Sequence, residues 1–282
     1  MSSVKLVAIQ VPTTESVERN IEEATRLVKA SGKSEPDIIC LPEAWLHSKP
    51  HGALPKLLGY KGRILGEFSK LAVELGCQIL AGGIYVRRAG ELRISCPVIG
   101  ADGSIQGWQD KIHLFGRERT VFSPGRGVEV FDHGAVKFGV LVCHDIVYPE
   151  LPRLLALRGV DLLFNPSRIV TVGIEPWHLY VSARSLENRL PLVAPNVWID
   201  PLFRGGSVIA KPVRARYSVY VMENRVAPKG AGIVTAAVDS SELRDARQER
   251  LSRLNPAMYH ELHRAYRNQI LRKPSRRAAR RR

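Results

Sequence analysis

Short apolar runs alternate with amphipathic segments along almost the whole chain, and that alternation restricts the fold more than any other feature. Val4 to Val11 reads as a strand, and Ser16 to Ala30 places Val17, Ile21, Ala24, Leu27 and Val28 at helical spacing. Asp37 to Leu41 reads as a buried strand, Ile64 to Leu75 as a helix and Gln78 to Val86 as one strand. Ile94 to Gly100 and Ser104 to Lys111 flank Ala101-Asp102-Gly103, a hairpin signal. Val128 to Phe131 and Val136 to Val142 read as a strand pair, Leu151 to Arg158 as a helix, and Asp161 to Phe164 as a strand. Trp177 to Arg189 reads as a helix, followed by strands at Leu192 to Val197, Gly206 to Ile209, Tyr217 to Met222 and Gly232 to Val238. No repeat and no Gly/Ser/Pro-rich linker divides this series, so one α/β domain is expected.

With 282 residues and 45% hydrophobic content, the chain is long and apolar enough to bury a substantial core. No run approaches the roughly 18 apolar residues of a membrane span. The N-terminal segment lacks a cleavage-site pattern after a basic region, so no signal peptide and a cytoplasmic location are expected. The formal charge is +15, but nine basic residues and no acid lie between Arg264 and Arg282, which leaves only +6 for the rest. Residues 1–263 are therefore expected to form the domain with its C-terminal extension, and 264–282 a disordered basic tail. Its last part, Arg272–Arg282, is a candidate contact for nucleic acid or another acidic surface. Cys40, Cys77, Cys96 and Cys143 lack CxxC spacing and sit in apolar contexts, as expected of reduced thiols.

Three polar residues stand where apolar strands run out, the place where open α/β proteins build their sites. Glu43 ends Ile38-Ile39-Cys40-Leu41-Pro42 and is a candidate general base, or else a solvent-facing loop acid. Lys111, in Gln109-Asp110-Lys111-Ile112-His113, is a candidate oxyanion stabiliser or an idle edge-strand lysine. Cys143 ends Phe138-Gly139-Val140-Leu141-Val142 and is a candidate nucleophile or a buried structural thiol. Direct pairing of Cys143 with His144 is disfavoured, because neighbours on extended chain face opposite ways. His47 and His51 have helix-like spacing, but Pro50 breaks the helix that would align them, so no metal site is expected. Glu118, between Arg117 and Arg119, reads by itself as a surface ion pair.

In order along the chain, these segments resemble the carbon–nitrogen hydrolase (nitrilase) superfamily. Leu41-Pro42-Glu43 is similar to its catalytic-Glu block and Asp110-Lys111-Ile112-His113-Leu114-Phe115 to its catalytic-Lys block. Phe122-Ser123-Pro124-Gly125 and Cys143-His144-Asp145-Ile146-Val147-Tyr148-Pro149-Glu150 resemble the next two blocks, and the likeness runs from about residue 4 to 240. The resemblance implies a four-layer αββα sandwich, commonly paired into a homodimer or higher homo-oligomer. It implies Cys143 as nucleophile, Glu43 as base, and Lys111 with the His144 backbone N–H as oxyanion partners. Glu118 would be the second glutamate, which positions the substrate and supports Lys111. It implies a small-molecule substrate and neither metal nor cofactor.

The Cys143-His144-Asp145 triplet looks more like the amidase and N-carbamoyl-hydrolase branches than the nitrilases, which typically carry Cys-Trp-Glu. Ile146 and Val147 stand where N-carbamoyl-D-amino-acid hydrolases tend to place arginines. Arg168, after Asn165-Pro166-Ser167, is a candidate for binding an anionic substrate group, with a structural ion pair as the alternative. The expected activity is hydrolysis of a small linear amide or N-carbamoyl compound through a cysteine thioester. Nitrile hydrolysis through a thioimidate is the near alternative, and a non-catalytic nucleic-acid or membrane-surface binder using the basic tail is the alternative from another class.

Overall fold

The computed structural model describes residues 3–134 and 136–269. The first half contributes β1 (Val4–Gln10), α1 (Val17–Ser31), β2 (Ile38–Cys40), α2 (Leu54–Leu58), α3 (Lys61–Leu75), β3 (Gln78–Leu80), β4 (Ile84–Arg88), β5 (Glu91–Ile99) and β6 (Ile105–Asp110). The second half contributes β7 (Val130–Asp132), β8 (Lys137–Val140), α4 (Glu150–Leu157), β9 (Leu162–Phe164), α5 (Ile174–Asn188), β10 (Leu192–Ala194) and the short strands β11 (Trp198–Ile199) and β12 (Phe203–Arg204). It continues through β13 (Val208–Arg214), β14 (Tyr220–Val226), β15 (Gly232–Val238), α6 (Ser241–Ser252) and α7 (Pro256–Gln269).

Two mixed sheets result. In the first, the order is β15-β1-β2-β3-β5-β4 with β6 also on β5, and β1, β2 and β3 are parallel. In the second, the order is β14-β13-β10-β9-β8-β7, with β8, β9 and β10 parallel. The alternation of side chains separates the layers. Phe138, Val140, Leu162, Phe164, Val193 and Ile209 point from the second sheet into the core shared with the first. Leu141, Leu163, Leu192, Ala194, Val208 and Ala210 point outward, against Leu155 and Ala156 of α4 and Trp177 and Val181 of α5. On the other side, Ile21, Ala24, Leu27 and Val28 of α1 and Ile64, Phe68, Leu71 and Ala72 of α3 cover the first sheet. The layers are thus helix, sheet, sheet, helix, within a single domain.

Local sequence explains most elements. Ser16 caps α1, its hydroxyl accepting the Arg19 N–H, and Gly76 ends α3 in the left-handed region. Three expectations are corrected. Gln78 to Val86 is two strands, because Gly82 turns at φ +75° and passes so close to the loop after β2 that a Cβ would lie 1.9 Å from the Pro42 carbonyl oxygen. The strand expected from Tyr217 begins only at Tyr220, since Tyr217 and Ser218 both take positive φ in the β13–β14 turn. Residues 264–269 of the expected basic tail belong to α7; the remainder, 270–282, lies outside the described residues. Helix α6 carries few apolar residues and is fastened by charge, with Arg244 and Arg247 meeting the buried Asp161 at 2.9 and 3.0 Å.

The sheet–sheet interface centres on Phe138, fully buried, with ring centroids 5.5 Å from Phe131 and 5.3 Å from Phe164. Truncation by Phe138→Ala is expected to cost about 3–5 kcal/mol, read as a lowered midpoint in urea unfolding.

Candidate active site

Glu43 and Cys143 lie just past the carboxyl ends of β2 and β8, one strand from each sheet. Because β6 is antiparallel to β5 and β5 antiparallel to β3, β6 runs with the parallel strands and delivers Lys111 to the same edge. The Lys111 backbone is held on both sides: its N–H donates to the Ile94 carbonyl at 2.8 Å and its carbonyl accepts the Gly125 N–H at 2.7 Å. A side chain on Gly125 would strike the Asp110 carbonyl at 2.7 Å, which accounts for glycine in the Phe122–Gly125 segment.

The Lys111 side chain is 1% exposed. Its Nζ donates to Glu43 Oε1 at 2.8 Å and meets both Glu118 oxygens, at 2.9 and 2.8 Å. Burial alone would lower the Lys111 pKa. The charges of Glu43, Glu118 and the neighbouring Cys143 overcome it and hold the ammonium well above the ordinary lysine value. Glu118 sits in the tight turn Gly116–Thr120 and is oriented by the Phe115 N–H, which donates to its Oε2 at 2.7 Å. Burial and then the Glu43 charge raise the Glu118 pKa, and Lys111 opposes them.

Cys143 takes φ +47°, a left-handed conformation that costs a non-glycine residue on the order of 1–2 kcal/mol. Its surroundings enforce it. The Cys143 N–H donates to the Pro166 carbonyl at 2.9 Å, and its carbonyl accepts Asn165 Nδ2 at 3.1 Å. Asn165 is itself fixed by Trp177 Nε1 and the Ser167 hydroxyl, both donating to its Oδ1. Cys143 is therefore in a turn and not on extended chain. The His144 ring lies edge-on to Tyr148 and 5.0 Å from the Phe115 ring. Burial pushes the Cys143 thiol pKa up, and the neighbouring Glu43 charge raises it further, while Lys111 acts the other way.

Glu43, Lys111, Glu118 and Cys143 come together as one buried cluster. Arg168 makes three hydrogen bonds to backbone carbonyls. Its Nη1 donates to the carbonyls of Ala44 and His47 at 3.0 and 3.4 Å, and its Nη2 to that of Ser48 at 2.6 Å. Its partners are carbonyls of the loop that follows Glu43, not carboxylates. Two features escape sequence reasoning. Asp145, fully buried, accepts N–H groups from Val142, Ile112 and His113, tying the Cys143 turn to the Lys111 loop. Its signal was a carboxylate two residues after the cysteine, without local indication of what it binds. Tyr85, Phe122 and His51 also cluster beside the site, with ring centroids 4.7 Å (Tyr85–Phe122) and 5.9 Å (His51–Tyr85) apart. Nothing local marks them, because they arrive from separate elements.

A family model described as carbon–nitrogen hydrolase matches residues 5–248. The omega-amidase NIT2-A of Xenopus laevis is 32% identical over 206 residues, covering 67% of this chain and 73% of that protein. The mouse omega-amidase NIT2 is 31% identical over 204 residues, with the same coverage of 67% and 73%. Among solved structures, a carbon–nitrogen hydrolase from Helicobacter pylori G27 superposes with a TM-score of 0.80 at 23% identity, over 93% of this chain and 98% of that one. An amidase from Nesterenkonia sp. superposes with a TM-score of 0.72 at 18% identity, over 87% of this chain and 94% of that one. The chain is a member of the carbon–nitrogen hydrolase family, and its fold is that of the nitrilase superfamily. No helix among the described residues is long and apolar enough to cross a membrane.

Asp145→Ala would strand the buried Val142 N–H and the partly buried N–H groups of Ile112 and His113, with an expected loss of about 3 kcal/mol in urea unfolding. Asp145→Asn, which keeps one acceptor oxygen, should recover part of that loss.

Proposed function

We propose that the protein hydrolyses the C–N bond of a small linear amide or N-carbamoyl compound, using Cys143 as nucleophile, Glu43 as base and Lys111 as oxyanion partner. The observation that carries this reading is the buried ammonium of Lys111, clamped by two carboxylates next to a buried thiol. The omega-amidase relatives favour an amide over a nitrile as substrate.

With its pKa raised, the thiol rests protonated, and attack needs a base in contact with it. Glu43 takes the S–H proton as the sulfur bonds to the carbonyl carbon. The negative charge that develops on oxygen is met by Lys111 Nζ, which stays cationic, and by the His144 N–H. Protonated Glu43 gives its proton to the leaving nitrogen, the C–N bond breaks, and a thioester remains. Glu43 then removes a proton from water, whose oxygen attacks the thioester; the C–S bond breaks, Glu43 returns that proton to the Cys143 sulfur, and the carboxylic acid is released. Glu118 neutralises Lys111 from the far side and fixes its direction. The four free cysteines suit a reducing compartment such as the cytoplasm. Exposed Leu157 of α4 and Leu179 and Tyr180 of α5 offer an apolar face on which a second copy could pair.

Ammonia release from short aliphatic amides, ω-amides, N-carbamoyl amino acids and nitriles tests the reading, with Cys143→Ala run in parallel. Turnover that persists in the variant would overturn it. Glu43→Gln gives a second, less intuitive expectation. Removing a negative charge beside the thiol lowers the thiol pKa, so the thiolate fraction at neutral pH should rise. Labelling of Cys143 by iodoacetamide should therefore quicken at pH 7. Hydrolysis in the same variant should fall by about 100-fold or more.

A further inference from the structure

We propose that Arg168 is a positioning residue: its guanidinium holds the loop carrying Glu43 and supplies the second positive charge that balances the two glutamates of the site. The inference rests on the catalytic reading above and adds a residue to it.

The first argument is geometric. Glu43 is bracketed by consecutive residues of one segment. Its own N–H donates to the Ser167 carbonyl at 3.2 Å, while Arg168 gathers the carbonyls of Ala44, His47 and Ser48 just beyond it. Ala44 is held at φ +49°, so this loop would relax to another shape without the clamp. The guanidinium is kept in place by the Phe203 ring, with its carbon 4.4 Å from the ring centroid. The preceding residue, Pro166, accepts the Cys143 N–H. The segment 165–168 thus fixes nucleophile and base relative to each other, although they come from different sheets.

The second argument is charge. Lys111 answers two carboxylates with one positive charge, which leaves the buried cluster at −1 while the thiol is neutral. Arg168 hydrogen-bonds only to neutral carbonyls in these contacts, and the groups whose charge it feels are Tyr85, Glu43 and Cys143. Counting it brings the cluster to zero. The other titratable or charged groups that bear on the site are Glu118 and Arg117 of the 116–120 turn, His51 of the loop before α2, His144 beside Cys143, His113, and Asp145, whose carboxylate is taken up by the Val142, Ile112 and His113 N–H groups. Without Arg168, a buried carboxylate would take up a proton more readily, and a protonated Glu43 is no base.

The test compares full-length Arg168→Met and Arg168→Lys with the wild type, using the amide that the wild type hydrolyses fastest and, separately, the pH dependence of Cys143 alkylation by iodoacetamide. In Arg168→Met the acid limb of kcat/KM should move up by about half a pH unit or more. In the same variant kcat should fall about tenfold or more, with KM within about threefold of wild type. Its alkylation should slow at pH 8, because a lost cation raises the thiol pKa. Arg168→Lys keeps the charge and loses the three-carbonyl clamp, so its acid limb should stay while kcat falls. A loss in Arg168→Met confined to KM would instead make Arg168 a substrate ligand and overturn the inference, as would an unmoved acid limb with unchanged alkylation. Should Arg168→Met fail to fold, Arg168→Lys decides: wild-type kcat refutes the clamp, and a shifted acid limb refutes the charge role. A wild type that hydrolyses nothing would defeat the catalytic reading alone, and the alkylation profiles would still judge Arg168.

Discussion

An ammonium group out of contact with water must be met by negative charge, and Lys111 can be buried only because Glu43 and Glu118 converge on it. Breaking such a cluster from one side typically costs about 3–5 kcal/mol, since the remaining charge stays buried without its partner. The requirement joins three segments: the end of β2, the end of β6, and the turn after it. Their attachments to the rest of the fold then follow as consequences. Gly82 and Gly83 let the chain pass against the Glu43 loop, where any side chain would collide. Gly125 does the same beneath Lys111.

The second sheet enters through the strained backbone of Cys143. A left-handed cysteine survives because Asn165 and Pro166 occupy both of its backbone hydrogen-bonding groups, and Asp145 stitches the same turn to the first sheet's Lys111 loop. The thiol therefore cannot drift relative to the ammonium. Rigid placement has a direct chemical use here. A thiol whose pKa is raised by burial and by a nearby carboxylate gains reactivity only when that carboxylate is aligned to remove its proton.

Much of the scaffold was legible because burial on both faces leaves a plain mark: apolar runs such as Ile38–Cys40 and Phe138–Val142 bracketed by polar turns. Glu43, Lys111 and Cys143 stood out for the same reason, as polar residues at the ends of such runs. Glu118 did not, since two flanking arginines make it resemble an ordinary surface acid, and only the resemblance to a family singled it out. The break in the Gln78 to Val86 run was hidden because its cause, the Pro42 carbonyl, lies some forty residues away in sequence. Helix α7 was missed because its apolar residues, Met258, Tyr259 and Leu262, are few, sit among charged and polar ones and stay exposed. Arg168 stood out for its charge, read as a partner for an anionic substrate group or an ion pair, while its bonds to the Ala44, His47 and Ser48 carbonyls left no local mark.

The sequence by itself determined an α/β architecture, the order of the strands and helices along the chain, and which polar residues end up at strand termini. Those are consequences of periodicity and local turn chemistry, which act over a few residues. The tertiary structure alone decided that Glu118 faces inward, that Asp145 and Asn165 hold the Cys143 turn, and that Arg168 reaches back to the Glu43 loop. Each of these joins segments between seven and more than a hundred residues apart. The reason is physical: a buried charge or strained backbone is stabilised by whatever groups the packed sheets bring within hydrogen-bonding distance, and that proximity leaves no local trace in the sequence.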